Sequence, residues 1–231
     1  MELLEISKQI CYRTGDNVLR SVFSNEDNAS ELLGYISQAA NEIAGQHNWS
    51  GLKKNETILT SGGRNEYDLP DDFDSILTFH IYNITKNLFI PFSSDDNEMA
   101  RIAGRDTSQN SLMFRIMGGK IVFTYPIDDG QELKYVYKSK NFVKDTEDLS
   151  YRDHFAKDTD KFVLDDELLI LKSMSLRAVN LGLSEAQQRE AAYLSRLEKK
   201  MANDGGLYRG NIFETQDFNK TTPIDWGVYG K

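Results

Sequence analysis

"NEYDLPDDFDSILTF", residues 65–79, decides how the middle of the chain is read. Tyr67 and Leu69 alternate with polar neighbours, so both can face one side of an extended segment. Pro70 pushes Leu69 into extended backbone and removes an amide donor, so a sheet ladder should stop there. Asp71 and Asp72 can accept from the following backbone N–H groups and set a turn. Phe73 then re-enters the core, and Ile76, Leu77 and Phe79 begin the next strand. The two aspartates could also be a catalytic or metal pair, but turn carboxylates are common and no third ligand type lies nearby. The stretch reads as a strand-to-strand corner, not a reaction centre.

On both sides of the corner, from about Leu52 to Lys140, the pattern has period two. "ETILT", "ILTFHIYNI", "NLFIPF", "SLMFRIM", "KIVFTY" and "ELKYVYKS" are strand candidates. Gly118-Gly119 makes the clearest hairpin turn. "SDDNEMARIAG" suggests one or two helical turns capped by Ser94 or Asp95. The expected product is one mostly antiparallel sheet of about five or six strands.

Helices flank this region. Leu3, Leu4, Ile6 and Ile10 stripe a short first helix that ends near Gly15. Asn28 and Glu31 have capping-box spacing before a helix striped by Leu32, Ile36, Ala39, Ala40, Ile43 and Ala44. Residues 141–164 are polar and read as a loop. Asp165 or Asp166 then caps "ELLILKSMSLRAVNLGL", which is apolar almost all round and is broken at Gly182. Ser184 and Gln187 form a second capping-box pattern, opening an amphipathic helix through Ala191, Leu194, Leu197 and Met201 with its charges outward. From Gly205 the chain loses periodicity yet keeps Tyr208, Ile212, Phe213, Phe218, Trp226 and Tyr229. Solvated tails are poor in aromatics, so these read as anchors into pockets on this subunit or a neighbour. The fold class is therefore α+β: a helical bundle from both ends of the chain, an inserted β-domain and an extended C-terminal tail. The segments are 1–50 (first helices), 51–140 (β-domain), 141–164 (loop), 165–204 (helical hairpin) and 205–231 (docking tail).

Composition narrows the function. Hydrophobic residues make up 39% of the 231, enough for a packed core. The net charge of −9 argues against tight binding of nucleic-acid phosphates, though not against a surface that DNA slides past. Cys11 is the single cysteine, so no intrachain disulfide is expected. The N-terminus lacks a signal-like apolar core, and no stretch approaches the roughly 18 apolar residues of a membrane span. His47, His80 and His154 share no metal-ligand spacing, and "SGGRNE" and "MGGK" are hairpin turns rather than phosphate loops. Neither Gly-x-Ser-x-Gly nor His-Glu-x-x-His occurs. No catalytic residue, metal or cofactor is expected. What stands out is more apolar helix than one small bundle needs, and an aromatic tail with no home in it. Both favour assembly.

An alanine-rich helix ending in "QHNWSGL", the "YDLPDDF" element, a β-rich middle, a late helical hairpin and a loose tail come in that order. The arrangement resembles the head-to-tail adaptors of tailed bacteriophages, the group that includes tail tubular protein A and the tail accessory factors. The resemblance covers roughly residues 28–206. It implies a structural virion protein of the neck, made in the host cytoplasm, that forms a ring of twelve copies below the portal. Such a ring extends the DNA channel, carries the tail or nozzle protein and lets double-stranded DNA pass. On this resemblance Trp49, Tyr67, Leu69, Pro70 and Phe73 define the fold. Leu168, Leu171, Met174, Leu176, Leu181, Leu194, Leu197 and Met201 form the wall between subunits. Tyr208, Phe213, Phe218, Trp226 and Tyr229 dock on the portal or a neighbour. Two alternatives stay open. A neck protein that hydrolyses peptidoglycan needs two carboxyl groups about 5–10 Å apart, and no pair stands out. A non-viral interaction module would use the same bundle as a monomer.

Overall fold

A computed structural model describes residues 1–25, 28–95 and 112–204. Four α-helices occur among them: α1 (Leu3–Thr14), α2 (Ala29–Gln46), α3 (Asp166–Asn180) and α4 (Ala186–Asn203). The first two come from the N-terminal end of the chain and the last two from the C-terminal end. They pack into one bundle with α3 at its centre, against α4, α2 and α1.

Leu3, Ile6 and Ile10 of α1 are buried at helical spacing. The helix stops where Gly15 turns left-handed, at φ 76°, and donates to Cys11 O. In α2, Leu32, Ile36, Ala39, Ala40 and Ile43 make the buried face. Neither expected capping box forms. Asn28 already has helical backbone angles, which do not suit a side-chain cap, and the Glu31 carboxylate instead accepts from Tyr35. At α4, Glu185 occupies the cap position and makes no side-chain bond. The Ala186 amide is satisfied by the Leu183 carbonyl within the tight α3–α4 connection, where Gly182 has φ 64°. Asp165 does cap α3: its backbone is extended and its carboxylate accepts from Leu168 N at 2.9 Å. The same carboxylate pairs with Arg196 at 3.2 Å and Lys200 at 2.5 Å, clasping α4.

The all-round apolar character of α3 is answered inside the chain. Leu168, Leu169, Ile170 and Ala178 are fully buried, with α1, α2 and α4 on different sides. Neighbouring copies are not needed to cover them. The charges of α4 are not all outward either. Glu190 accepts from Ser175 at 2.5 Å and, with Glu42 of α2, flanks the buried Lys172 ammonium at 3.5 and 3.1 Å. Lys172 also lies 4.9 Å from the Tyr193 ring centroid.

The middle of the chain forms two sheets rather than one. The first has the order β1 (Lys53–Leu59), β8 (Glu132–Ser139), β4 (His80–Asn83), β5 (Leu88–Pro91), with β3 (Phe73–Ile76) also paired to β8. The second has the order β2 (Glu66–Asp68), β7 (Lys120–Phe123), β6 (Phe114–Met117). All ladders are antiparallel. Their inner faces share a core of Ile81, Ile90, Phe114, Ile121, Phe123, Leu133, Tyr135 and Tyr137. Gly118 and Gly119 both have positive φ, as a two-residue hairpin turn with the right twist requires. Phe79 does not join a strand. The chain breaks between β3 and β4, and this ring is exposed.

The stretch expected to be a loop holds a third small sheet of β9 (Val143–Lys144), β10 (Tyr151–Arg152) and β11 (Lys161–Phe162). Two-residue strands leave no periodicity to read. They are fixed by buried Asp145 and Asp160 around the Arg152 guanidinium, which reaches Asp160 at 3.1 Å and also bonds Asp145. Lys157 pairs with Asp145 at 3.0 Å, and the Ala156 and Lys157 amides bond the Asp160 carboxylate. Phe142, Val143, Phe155 and Phe162 pack on the helical core, and Leu3 N donates to Asp160 O. The expected helical turns near Ser94 lie largely outside the described residues, as does the tail from Gly205.

The Asp165 clasp gives a test. Asp165→Ala should lower stability by about 0.5–2 kcal/mol through loss of the cap. Asp165→Asn keeps a capping acceptor, so it should lose less. Urea midpoints of the two variants check the order.

Candidate assembly surface

The "YDLPDDF" corner carries the chain from one sheet to the other. Tyr67 on β2 meets Phe123 edge-on at 5.9 Å, and Leu69 packs against the β core. Pro70 ends β2, and its carbonyl accepts from Phe73 N at 2.9 Å, closing the turn. Phe73 then stacks on Tyr137 of β8 at 5.8 Å. Asp72 does not bond the following amides with its side chain, as the sequence suggested. Its carboxylate takes Ser139 Oγ at 2.6 Å, Tyr137 OH at 2.8 Å and Lys54 Nζ at 2.5 Å, tying the corner to β8 and β1. Burial pushes the Asp72 carboxyl up, but Lys54 and the two hydroxyls outweigh it and leave it below the usual range. Burial, with Asp72 beside it, pushes the Tyr137 phenol far up.

Trp49 joins the two halves. It is buried after α2, and its indole N–H donates to Ile43 O at 2.6 Å. One residue on, Ser50 N and Oγ bond the Asp204 carboxylate at 2.8 and 2.5 Å, with His47 3.4 Å away. The end of α4 is thereby fixed beside the start of β1.

The residues expected at a subunit wall divide sharply. Leu168, Met174 and Leu197 are buried within the chain, so they hold the bundle together instead of meeting a neighbour. Leu171, Leu176 and Met201 are partly buried against the same core. Leu181 and Leu194 are 48% and 46% exposed, and Val179, at 63%, and Leu183 also stand out near the α3–α4 turn. Sequence reading missed Val179 and Leu183. A buried helix and a helix with one bare end look alike in a run of apolar residues. Of the expected anchors, Tyr208, Phe213, Phe218, Trp226 and Tyr229 all lie outside the described residues.

Two further features were not anticipated. A groove of about 380 Å³ runs between α3 and α4, lined by Leu171, Met174, Glu185, Gln188, Arg189 and Ala192. On the β-module, Phe89 is exposed and meets His80 at 4.5 Å and Tyr82 at 5.1 Å, an aromatic patch on the outer face of β4–β5. Among the described residues, no group of three or more His, Cys, Asp and Glu side chains is placed to hold a metal ion.

The family model described as SU10 adaptor protein covers residues 1–210. The chain belongs to the SU10 adaptor protein family. A search of the curated proteins returned no match. The SU10 adaptor family is one of phage head-tail adaptors, so this adaptor is a structural protein of the virion neck that works with other head and tail proteins. Among the described residues, no helix is long and apolar enough to cross a membrane. The match stops at Gly210, before Phe213, Phe218, Trp226 and Tyr229.

Four carboxyls predict the acid response. In Asp72 and Asp165, burial is outweighed by Lys54 and by Lys200 respectively. In Asp145 the Glu147 amide leads the lowering, and in Glu42 Gln38 and Lys172 overcome burial. All four sit below their ordinary values when folded, so their stabilisation is present above about pH 4 and is lost as pH falls further. The urea midpoint should be steady from neutral to about pH 5 and then drop. Asp72→Ala should cost about 1–3 kcal/mol at neutral pH, by stranding the Tyr137 hydroxyl, and should flatten the acid limb.

Proposed function

We propose that this adaptor assembles as a ring of twelve copies below the portal, extends the DNA channel and presents a platform for the tail or nozzle protein. In this reading it is an adaptor similar to tail tubular protein A and the tail accessory factors. The helical bundle makes the ring wall, and the β-module of residues 51–140 faces outward or toward the tail. The C-terminal aromatics dock on the portal or a neighbouring copy.

The observation that carries this reading is the exposed apolar side chains of the α3–α4 hairpin. Val179, Leu181 and Leu183 stand out around its turn and Leu194 half-way along α4, on a bundle whose own core is already complete. Exposed apolar side chains in one place mark contact surfaces more often than chance. A face that meets a different face of the next copy builds a ring when the rotation closes. The net charge of −9 supports a channel role, since acidic walls repel DNA phosphates and let the genome pass.

Native mass spectrometry of the protein alone and with portal tests the reading. A ring on portal is expected, and a monomer that ignores portal overturns it. Leu181→Asp with Leu194→Asp should abolish the ring while leaving the circular dichroism and urea midpoint close to wild type, because both positions are solvent-facing. Replacing acids that face the channel with neutral amides should slow genome ejection in infection assays.

A further inference from the structure

The groove between α3 and α4 has a chemical character that names an occupant. Leu171 and Met174 supply apolar surface and a polarisable thioether, and Ala192 leaves the α4 side open. Arg189 lies along the same groove. Its Nη2 donates to Glu185 at 2.6 Å, but its Nη1 is buried with no acceptor among the described residues. A buried guanidinium nitrogen without an acceptor is costly, and a carboxylate is its strongest partner. An apolar floor beside an unsatisfied guanidinium suits a flat aromatic ring next to an acid.

The chain carries an acid followed directly by an aromatic ring twice beyond α4, as Asp217-Phe218 and Asp225-Trp226. Reach allows either. Asp204 is held on Ser50. It follows Gln188 by 16 residues of the sequence, about 24 Å of helix. The 22 residues from Asp204 to Trp226 can extend to roughly 70 Å, so the segment can run back along α4 with length to spare. Gly205-Gly206 at its start tolerates the reversal. Of the two rings, indole has the larger apolar face and binds a guanidinium better. A covalent tether of this length presents it at about millimolar effective concentration, above any free copy.

We infer that this groove seats the chain's own C-terminal segment in the free subunit, with Trp226 on Leu171, Met174 and Ala192 and Asp225 paired to Arg189. The inference rests on the reading of the tail aromatics as anchors and requires neither ring nor portal. It makes the groove a holding site. A partner that takes the tail must first compete with the bundle for Trp226, so assembly carries a threshold.

Trp49 and Trp226 are the two tryptophans of the chain, and Trp49 is buried. The emission difference between wild type and Trp226→Phe therefore isolates Trp226 in the full chain without portal. Trp226 should emit at short wavelength and resist acrylamide quenching. Ala192→Glu, at an exposed helical position, should move that emission to its water-exposed value with the far-ultraviolet circular dichroism unchanged. Asp225→Asn should move it part of the way. Water-exposed emission in wild type, or protection that survives Ala192→Glu, overturns the inference. Protection lost on dilution assigns the segment to another copy and overturns it too. Ring formation on portal with a fully exposed Trp226 sinks this inference alone. Protected Trp226 in a subunit that ignores portal sinks only the ring.

Discussion

The packing of α3 against α1, α2 and α4 is the constraint on which the rest of the molecule depends. It draws the two ends of the chain together, and the β-module is suspended between them as an insertion. Leu168, Leu169 and Ile170 occupy three successive directions around the helix, and all three are fully buried. Polar links reinforce the arrangement. Lys172 joins α3 to α2 and α4, Arg177 pairs with Asp16 at 2.7 Å after α1, and Arg13 pairs with Glu167 at 2.6 Å. Because the core closes within one chain, what remains exposed on the hairpin is surplus to folding. That surplus is what makes an assembly reading physical as well as familial.

Much of this was legible from residue order. The helices of the bundle, the Gly15 and Gly182 stops, the Asp165 cap and the Gly118-Gly119 hairpin follow from local chemistry that tertiary packing does not override. The losses have definite causes. Capping boxes were read from spacing, but Asn28 has helical backbone and the α4 start is satisfied by a carbonyl. The sheet was read as single because alternation gives a strand's face and not its partners. Only Pro70 hinted that the chain changes sheets. The small third sheet was invisible, since it is held by charges from Asp145, Arg152, Lys157 and Asp160 that look like a solvated loop.

The assembly surface was the hardest part to foresee. Apolar residues on α3 and α4 were recognised as needing cover, but a sequence does not say whether that cover comes from the same chain. Leu168 and Leu181 look equivalent as letters, yet one is fully buried in the bundle and the other is about half exposed. The groove escaped notice for the opposite reason. It depends on a small residue, Ala192, opposite Leu171 and Met174, and what is missing from a side chain leaves no mark in a pattern of apolar positions.

The small charged sheet has a further consequence for how the protein is made. Its Asp160 carbonyl holds the first turn of α1, and Asp158 bonds the Leu4 and Val22 amides, so α1 and the segment after it find their partners roughly 140–160 positions later in the chain. The β-module, whose contacts are nearer in sequence, can form while α1 and α2 wait with greasy faces uncovered. A chain truncated before α3 would leave those faces open to chaperones or to other unfinished chains, so the bundle closes only when the late hairpin arrives.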